Sequence, residues 1–293
     1  MIYDLLHRTS YRYTAPVSVA HHALHLRPRS FENQQVLSVT LHTDPAPDYF
    51  TETVDHFGNA VAHVSIDRVH ERLDITVEAR VDVGLPEPPP AAATPAWEAI
   101  RDGLAGDGFP VWVEQSEFVH PSRLAAPSDE VRAYARPSFP PGSPVLAAAR
   151  DLTRRIFHDF TYDSTATDLS TPLGTVLKQR RGVCQDFAHV QVAAMRAMGL
   201  AARYVSGYLR TRPPPGRERL RGADASHAWV AVWCGDLAGW VHLDPTNDLV
   251  ARNEHVVSAW GRDYSDVSPV RGVILGGGSH NLSVAVDLVP DES

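Results

Sequence analysis

Apolar and polar residues alternate at every second position through most of the first 83 residues. Val36-Leu37-Ser38-Val39-Thr40-Leu41-His42, Val61-Ala62-His63-Val64-Ser65-Ile66 and Leu73-Asp74-Ile75-Thr76-Val77-Glu78-Ala79-Arg80-Val81 all follow this period of two, which predicts half-buried strands. Asp55-His56-Phe57-Gly58-Asn59 punctuates them with a turn signal, and no helical period interrupts the run. Residues 1–83 therefore predict an antiparallel β-sandwich module. Gly84 to Pro95 is rich in proline and alanine, a stiff stretch in which strand pairing is disfavoured, and is read as a linker over 84–95.

From residue 96 to 293 the texture changes. Pro144 opens an apolar pattern at helical spacing that continues to Phe157. Val183 to Met198 predicts a second helix closed by Gly199, with Phe187, Val190, Gln191, Ala194 and Met198 on one stripe and Cys184 one turn ahead on the same side. Residues 226–246 then predict two strands around a turn at Cys234 to Gly239. The fold class expected is α+β, a β module followed by a helix-on-sheet core.

Composition narrows the class of function. Apolar residues make up 43% and charged residues 21%, as in a globular protein. A net charge of −8 gives no basic stripe for nucleic acid, and no apolar run is long enough to span a bilayer. Asp4, His7 and Arg8 interrupt the place where a secretory signal needs an apolar core, so the first residues are read as a strand and the location expected is cytoplasmic. Two cysteines cannot frame a disulfide-stabilised fold, which agrees with a reducing compartment.

Cys184 is placed in the first turn of its predicted helix. The positive end of the helix dipole favours a thiolate there, and first-turn N–H groups without helical partners can bind a developing oxyanion. If Trp233 pairs with Trp240 across the following turn, Trp229 falls opposite Asp244 and His227 lies diagonal to Asp244 on the same face. A slip of one residue would separate the two. In that register His227 is a base for the Cys184 thiol and Asp244 orients the imidazole. Against this stand ordinary structural roles: a buried cysteine, one histidine among 15, and an aspartate opening a turn before Pro245.

Three blocks together resemble the bacterial transglutaminase-like family: Arg181-Gly182-Val183-Cys184-Gln185-Asp186-Phe187-Ala188, Ser226-His227-Ala228-Trp229 and Leu243-Asp244-Pro245-Thr246. The strand-rich start resembles that family's N-terminal β module, and Gly261 to Pro269 and Gly276 to His280 are similar to its C-terminal part. The resemblance implies a papain-like core, a nucleophile at Cys184, a base at His227 and an orienting Asp244. The resemblance does not settle the reaction; hydrolysis of a peptide or other amide through a thioester at Cys184 is the reading taken, because nothing in the sequence specifies an amine acceptor. Transfer of the acyl group to an amine and a non-catalytic binding role are the alternatives. Tyr162, Gln185 and Trp229 stand as candidates for oxyanion binding or pocket lining, with core packing as the other reading of Tyr162.

No cofactor is expected, and no Asp-rich loop has the spacing of a calcium site. A zinc site from Cys184, His189, His227 and His242 is a rival, although no CxxC or HxxxH spacing supports it. Thr211 to Arg221, basic and proline-rich, is expected to form a flap near the site that favours acidic substrates, with a solvated loop as the alternative.

Overall fold

The computed structural model describes residues 1–106, 111–211 and 224–291. The first unit is one antiparallel sheet organised around an unusually long strand, β1 (Ile2–Leu24). β2 (Gln34–Asp44), β3 (Tyr49–Val54), β4 (Ala60–Ile66) and β5 (His70–Val83) follow it. The first half of β1 pairs with β5 (Ile2↔Asp82 to Arg12↔Arg72), and the second half with β4 (Ala20↔Ile66 to Leu24↔Ala62). The register shifts between Arg12 and Val17, across Pro16, whose missing N–H cannot serve a ladder.

That bend lets the two halves close on one apolar cluster. Val17, Ala20 and Leu24 from the second half meet Leu73, Ile75 and Val77 of β5, the strand paired with the first half. The module is thus an antiparallel β module, as expected, whose strands belong to one hydrogen-bonded sheet with its two halves sharing an apolar cluster.

The second unit begins with α1 (Trp97–Ala105), α2 (Val113–Ser116), α3 (Asp129–Ala135) and α4 (Val145–Asp159). Then come β6 (Thr161–Tyr162), α5 (Leu173–Gln179), β7 (Arg181–Gly182) and α6 (Cys184–Ala197). β8 (Ala202–Leu209), β9 (Ala225–Trp233), β10 (Trp240–Asp244), β11 (Leu249–Val250) and β12 (His255–Gly261) build a sheet of order β11-β10-β9-β8-β12, and α7 (Tyr264–Val267) caps it. α6 lies against β8 and β9, with α3, α4 and α5 around it. Every residue from Asp186 to Ala197 is buried, so the single apolar stripe read from sequence is too narrow: α6 is the central helix and is covered on all sides. Gln191, for example, donates from Nε2 to Thr153 Oγ1 at 2.8 Å. None of the described helices is long and apolar enough to cross a membrane.

The chain then leaves the core. β13 (Val270–Gly276) and β14 (His280–Pro290) run consecutively along the free edge of β1, from Leu24↔Val270 to Tyr3↔Pro290. Gly276, Gly277 and Gly278, all at positive φ, make the joint between them. The core boundary expected at 96–293 is therefore redrawn: residues 270–290 belong to the first sheet. Local periodicity cannot reveal this, because the partner positions lie far along the chain, from Leu24↔Val270 to Tyr3↔Pro290.

The two units share a buried interface. Tyr3, Leu5, Val81, Val286 and Leu288 pack against Tyr208 of β8 and Val256 of β12. Tyr208 donates its hydroxyl to the Leu26 carbonyl at 2.7 Å, and Gln34 Nε2 reaches the Val257 carbonyl at 2.7 Å. Such satisfied buried bonds orient the sheet on the core and leave a gap beside the start of α6.

Candidate active site

The start of α6 is built to hold Cys184 in place. Asp186 turns back so that its carboxylate accepts the Val183 N–H at 2.8 Å and the Thr167 hydroxyl at 2.7 Å. Gly182 makes this possible, because a Cβ there would lie 2.4 Å from Asp186 Oδ2. The N–H groups of Asp186 and Phe187 both donate to the Val183 carbonyl, leaving the first-turn N–H groups of Cys184 and Gln185 for other partners. Cys184 is partly exposed, while Cys234 is fully buried and burial pushes its thiol up; both thiols are free.

The hairpin has the predicted register. Trp240 pairs with Trp233 and Leu243 with Val230, so the next step brings Asp244 beside Trp229 and diagonal to His227. His227 Nε2 donates to Asp244 Oδ2 at 2.8 Å. Cys184 lines the same cavity as His227 and is the imidazole's other electrostatic neighbour. Burial alone would depress the histidine, but the bonds and charges of Asp244 and Cys184 outweigh it and hold His227 up at about 10.

Asp244 has no exposed surface, yet it is well solvated by protein groups. Besides His227 it accepts from the Thr246 N–H at 2.9 Å, Asn247 Nδ2 at 2.7 Å and His255 Nε2 at 3.2 Å. Burial would raise its carboxyl, and the bonds to His227 and His255 overcome that and hold it well below the ordinary carboxylate range. His255, on β12, escaped the sequence reading because nothing local ties it to the hairpin; only the sheet order brings it to Asp244. His227, Asp244 and His255 lie close enough together to hold a cation, but the His–Asp hydrogen bonds already occupy the facing atoms.

A cavity of about 520 Å³ opens over the thiol, lined by Tyr162, Val183, Cys184, Gln185, Tyr204, Ser226 and His227 from the core. Its other wall comes from the first sheet, in three cross-strand pairs: His7↔Val286, Thr9↔Val284 and Tyr11↔Leu282. Tyr162 is 59% exposed at the rim and packs edge-on against Phe187. Tyr204, missed from sequence, is buried beneath the thiol region. Burial, then the nearby Cys184 charge, keeps both tyrosine hydroxyls protonated.

Trp229 does not line the cavity. It is fully buried, stacks near His227 with ring centroids 6.1 Å apart, and gives its indole N–H to His242 Nδ1 at 2.9 Å. It has neither surface nor a free donor for a ligand. The zinc set does not assemble either: His242 is occupied by Trp229, and His189 Nε2 accepts the Tyr264 N–H at 3.2 Å. The expected flap at Thr211 to Arg221 falls, apart from Thr211, outside the described residues.

A helix-start thiol set against a sheet-borne His–Asp pair is the arrangement of a papain-like core. The chain belongs to the transglutaminase-like superfamily: residues 132–245 match that superfamily, and residues 3–82 match the bacterial transglutaminase-like N-terminal region. An uncharacterized protein of Mycobacterium tuberculosis is 42% identical over 298 residues, covering 99% of this chain and 93% of its own length. One from Mycobacterium leprae is 31% identical, covering 97% of each. A protein-glutamine gamma-glutamyltransferase of Pseudomonas aeruginosa is 33% identical over 129 residues, 42% of this chain and 18% of that protein. The crystal structure of a candidate cysteine protease from Cytophaga hutchinsonii superposes with a TM-score of 0.75 at 22% identity, covering 100% of this chain and 92% of that one.

Proposed function

We propose that the protein is a thiol-dependent hydrolase of amide bonds, with Cys184 as nucleophile, His227 as acid and base, and Asp244 as orienting carboxylate. The observation that carries this reading is the His227–Asp244 hydrogen bond set beside the partly exposed Cys184 in one cavity.

In this reading the thiol proton resides on His227 Nδ1, and the Cys184 thiolate attacks the amide carbonyl. The new oxyanion is taken by the first-turn N–H groups of Cys184 and Gln185, with Tyr162 at the rim as a further donor. Collapse breaks the C–N bond, and His227 protonates the leaving amine. A thioester at Cys184 remains. Water, deprotonated by the now neutral His227, attacks it and releases the carboxylate, returning the proton to the thiolate–imidazolium pair. Asp244 accepts from Nε2 throughout and fixes the ring.

Hydrolysis is preferred over transfer because Cys184 is partly exposed and Tyr162 beside it is open to solvent, so water reaches the thioester. Amine transfer is the second reading, favoured by the similarity to the Pseudomonas gamma-glutamyltransferase. Trapping the acyl-enzyme by intact mass, with Cys184→Ala as control, tests both. The thioester is then allowed to partition between water and added hydroxylamine; preferential transfer to the amine at millimolar concentration selects the second reading. A Cys184 that reacts with iodoacetamide at pH 6 no faster than an ordinary thiol, and no faster than in His227→Ala, counts against any enzyme and favours a binding role.

A further inference from the structure

The cavity wall opposite Cys184 is also the rim of an unpaired strand. β14 pairs with β1 along one side only. On its other side the Asp224 N–H donates to the Val286 carbonyl at 3.1 Å, and the Leu288 N–H donates to the Asp224 carboxylate at 2.6 Å. Because residues along a strand direct their backbone groups to alternate edges, Leu282 and Val284 point theirs to this same outer edge. No strand among the described residues pairs with them there.

β9 and β14 are therefore pinned together at Asp224 and Val286 and part beyond that point, with Ser226 and His227 on one side of the opening and Leu282 and Val284 on the other. The edge is unprotected. From His280 to Val286 it carries no Lys, Arg, Asp, Glu or Pro, and Leu282 and Val284 are 54% and 49% exposed.

We propose that this edge receives the substrate as an extended polypeptide segment, which adds to β14 as a further strand and so delivers an amide to Cys184. The main chain of Leu282 and Val284 supplies the hydrogen bonds. The Tyr11–Leu282 and Thr9–Val284 pairs form an apolar ledge that selects a hydrophobic side chain on the same face of the incoming strand. The β module is then the part of the protein that chooses the substrate, while the core does the chemistry. This inference rests on the thiol-hydrolase reading and narrows it to polypeptides.

The test compares wild-type protein with Val284→Pro, which deletes one outward N–H but none of the β1 ladder bonds, a change that edge strands tolerate. Dimethylated β-casein, unfolded and with its lysines blocked, is the long probe, read by newly released amines and ammonia. p-Nitrophenyl acetate, which needs only the thiol, is the short one. Val284→Pro should raise KM for casein by about tenfold, the scale of one backbone hydrogen bond, and by clearly more than it changes the size of the acetate burst. Val284→Lys, which keeps the backbone and spoils the ledge, should give the same split should the proline variant not fold. Unchanged casein kinetics in the variants overturns the proposal, as does a wild-type protein acylated by the ester but inert toward casein. A concentration-dependent dimer dissolved by Val284→Pro also overturns it, giving the edge to self-association. Absence of any burst from wild type instead refutes the thiol-hydrolase reading itself.

Discussion

Replacing Asp244 by asparagine changes one atom and removes a buried charge that four donors share. Asn247 Nδ2, His227 Nε2 and His255 Nε2 converge on Oδ2, and the Thr246 N–H on Oδ1. An amide turns an NH₂ group toward one set or the other, so at least one buried donor is left facing a donor, which costs about 1–3 kcal/mol of stability. The larger effect is on His227. Its rise from the ordinary 6.5 to about 10 corresponds to about 5 kcal/mol of preference for imidazolium, shared between Asp244 and Cys184. Without the carboxylate, burial wins and the ring turns neutral near pH 7. Alkylation of Cys184 by iodoacetamide at pH 6, followed by intact mass, should slow by about tenfold or more, and kcat/KM should fall by about 10³-fold, some 4 kcal/mol. The stability difference has a definite pH sign. Asp244, depressed in the fold, stabilises above its ordinary 3.8 and loses that contribution as pH falls below it, so the urea midpoints of variant and wild type should converge in acid. An unchanged alkylation rate at pH 6 would refute the reasoning.

Other outcomes follow from the same geometry. His227 is raised, so its contribution to stability is complete below pH 6.5 and is lost as pH rises through about 10; kcat/KM should show an alkaline limb there, which His227→Ala abolishes together with activity. Gly182→Ala drives a methyl into Asp186 and should lower stability by about 1–3 kcal/mol in urea denaturation while also slowing Cys184 alkylation. His255→Gln keeps a donor near Asp244 but removes the ring, and should lower kcat more than it raises KM, with the alkaline limb shifted down. Native protein should take up one equivalent of iodoacetamide, at Cys184, and a second at Cys234 only after unfolding.

The hairpin was legible in the sequence because its register depends only on a short turn and two tryptophans that pair across it. That sufficed to bring His227 to Asp244. The helix-start thiol was legible for a similar local reason, a glycine ahead of a long apolar run. What stayed hidden was non-local. Residues 270–290 alternate as any strand does, and nothing in that alternation says that their partner is β1 rather than the core sheet. The same blindness hid His255, carried to Asp244 by the order of strands, and the wall of Tyr11, Leu282 and Val284. Trp229 was misread because a tryptophan on the same strand face as His227 is equally suited to supporting the ring and to lining a pocket; only its bond to His242 decides.

The return of the chain to its own first strand also sets an order of events. β14 joins β1 by closing a loop of more than 250 residues, the slowest kind of contact to form. The core, from α4 to β12, has its partners close in sequence and can assemble sooner, thiol and imidazole included. On the proposed reading, thiol and imidazole are brought together before the edge that receives the substrate, so reactivity precedes selection and the last strand to dock supplies the latter. A chain stopped short of residue 280 would retain the first property and lack the second.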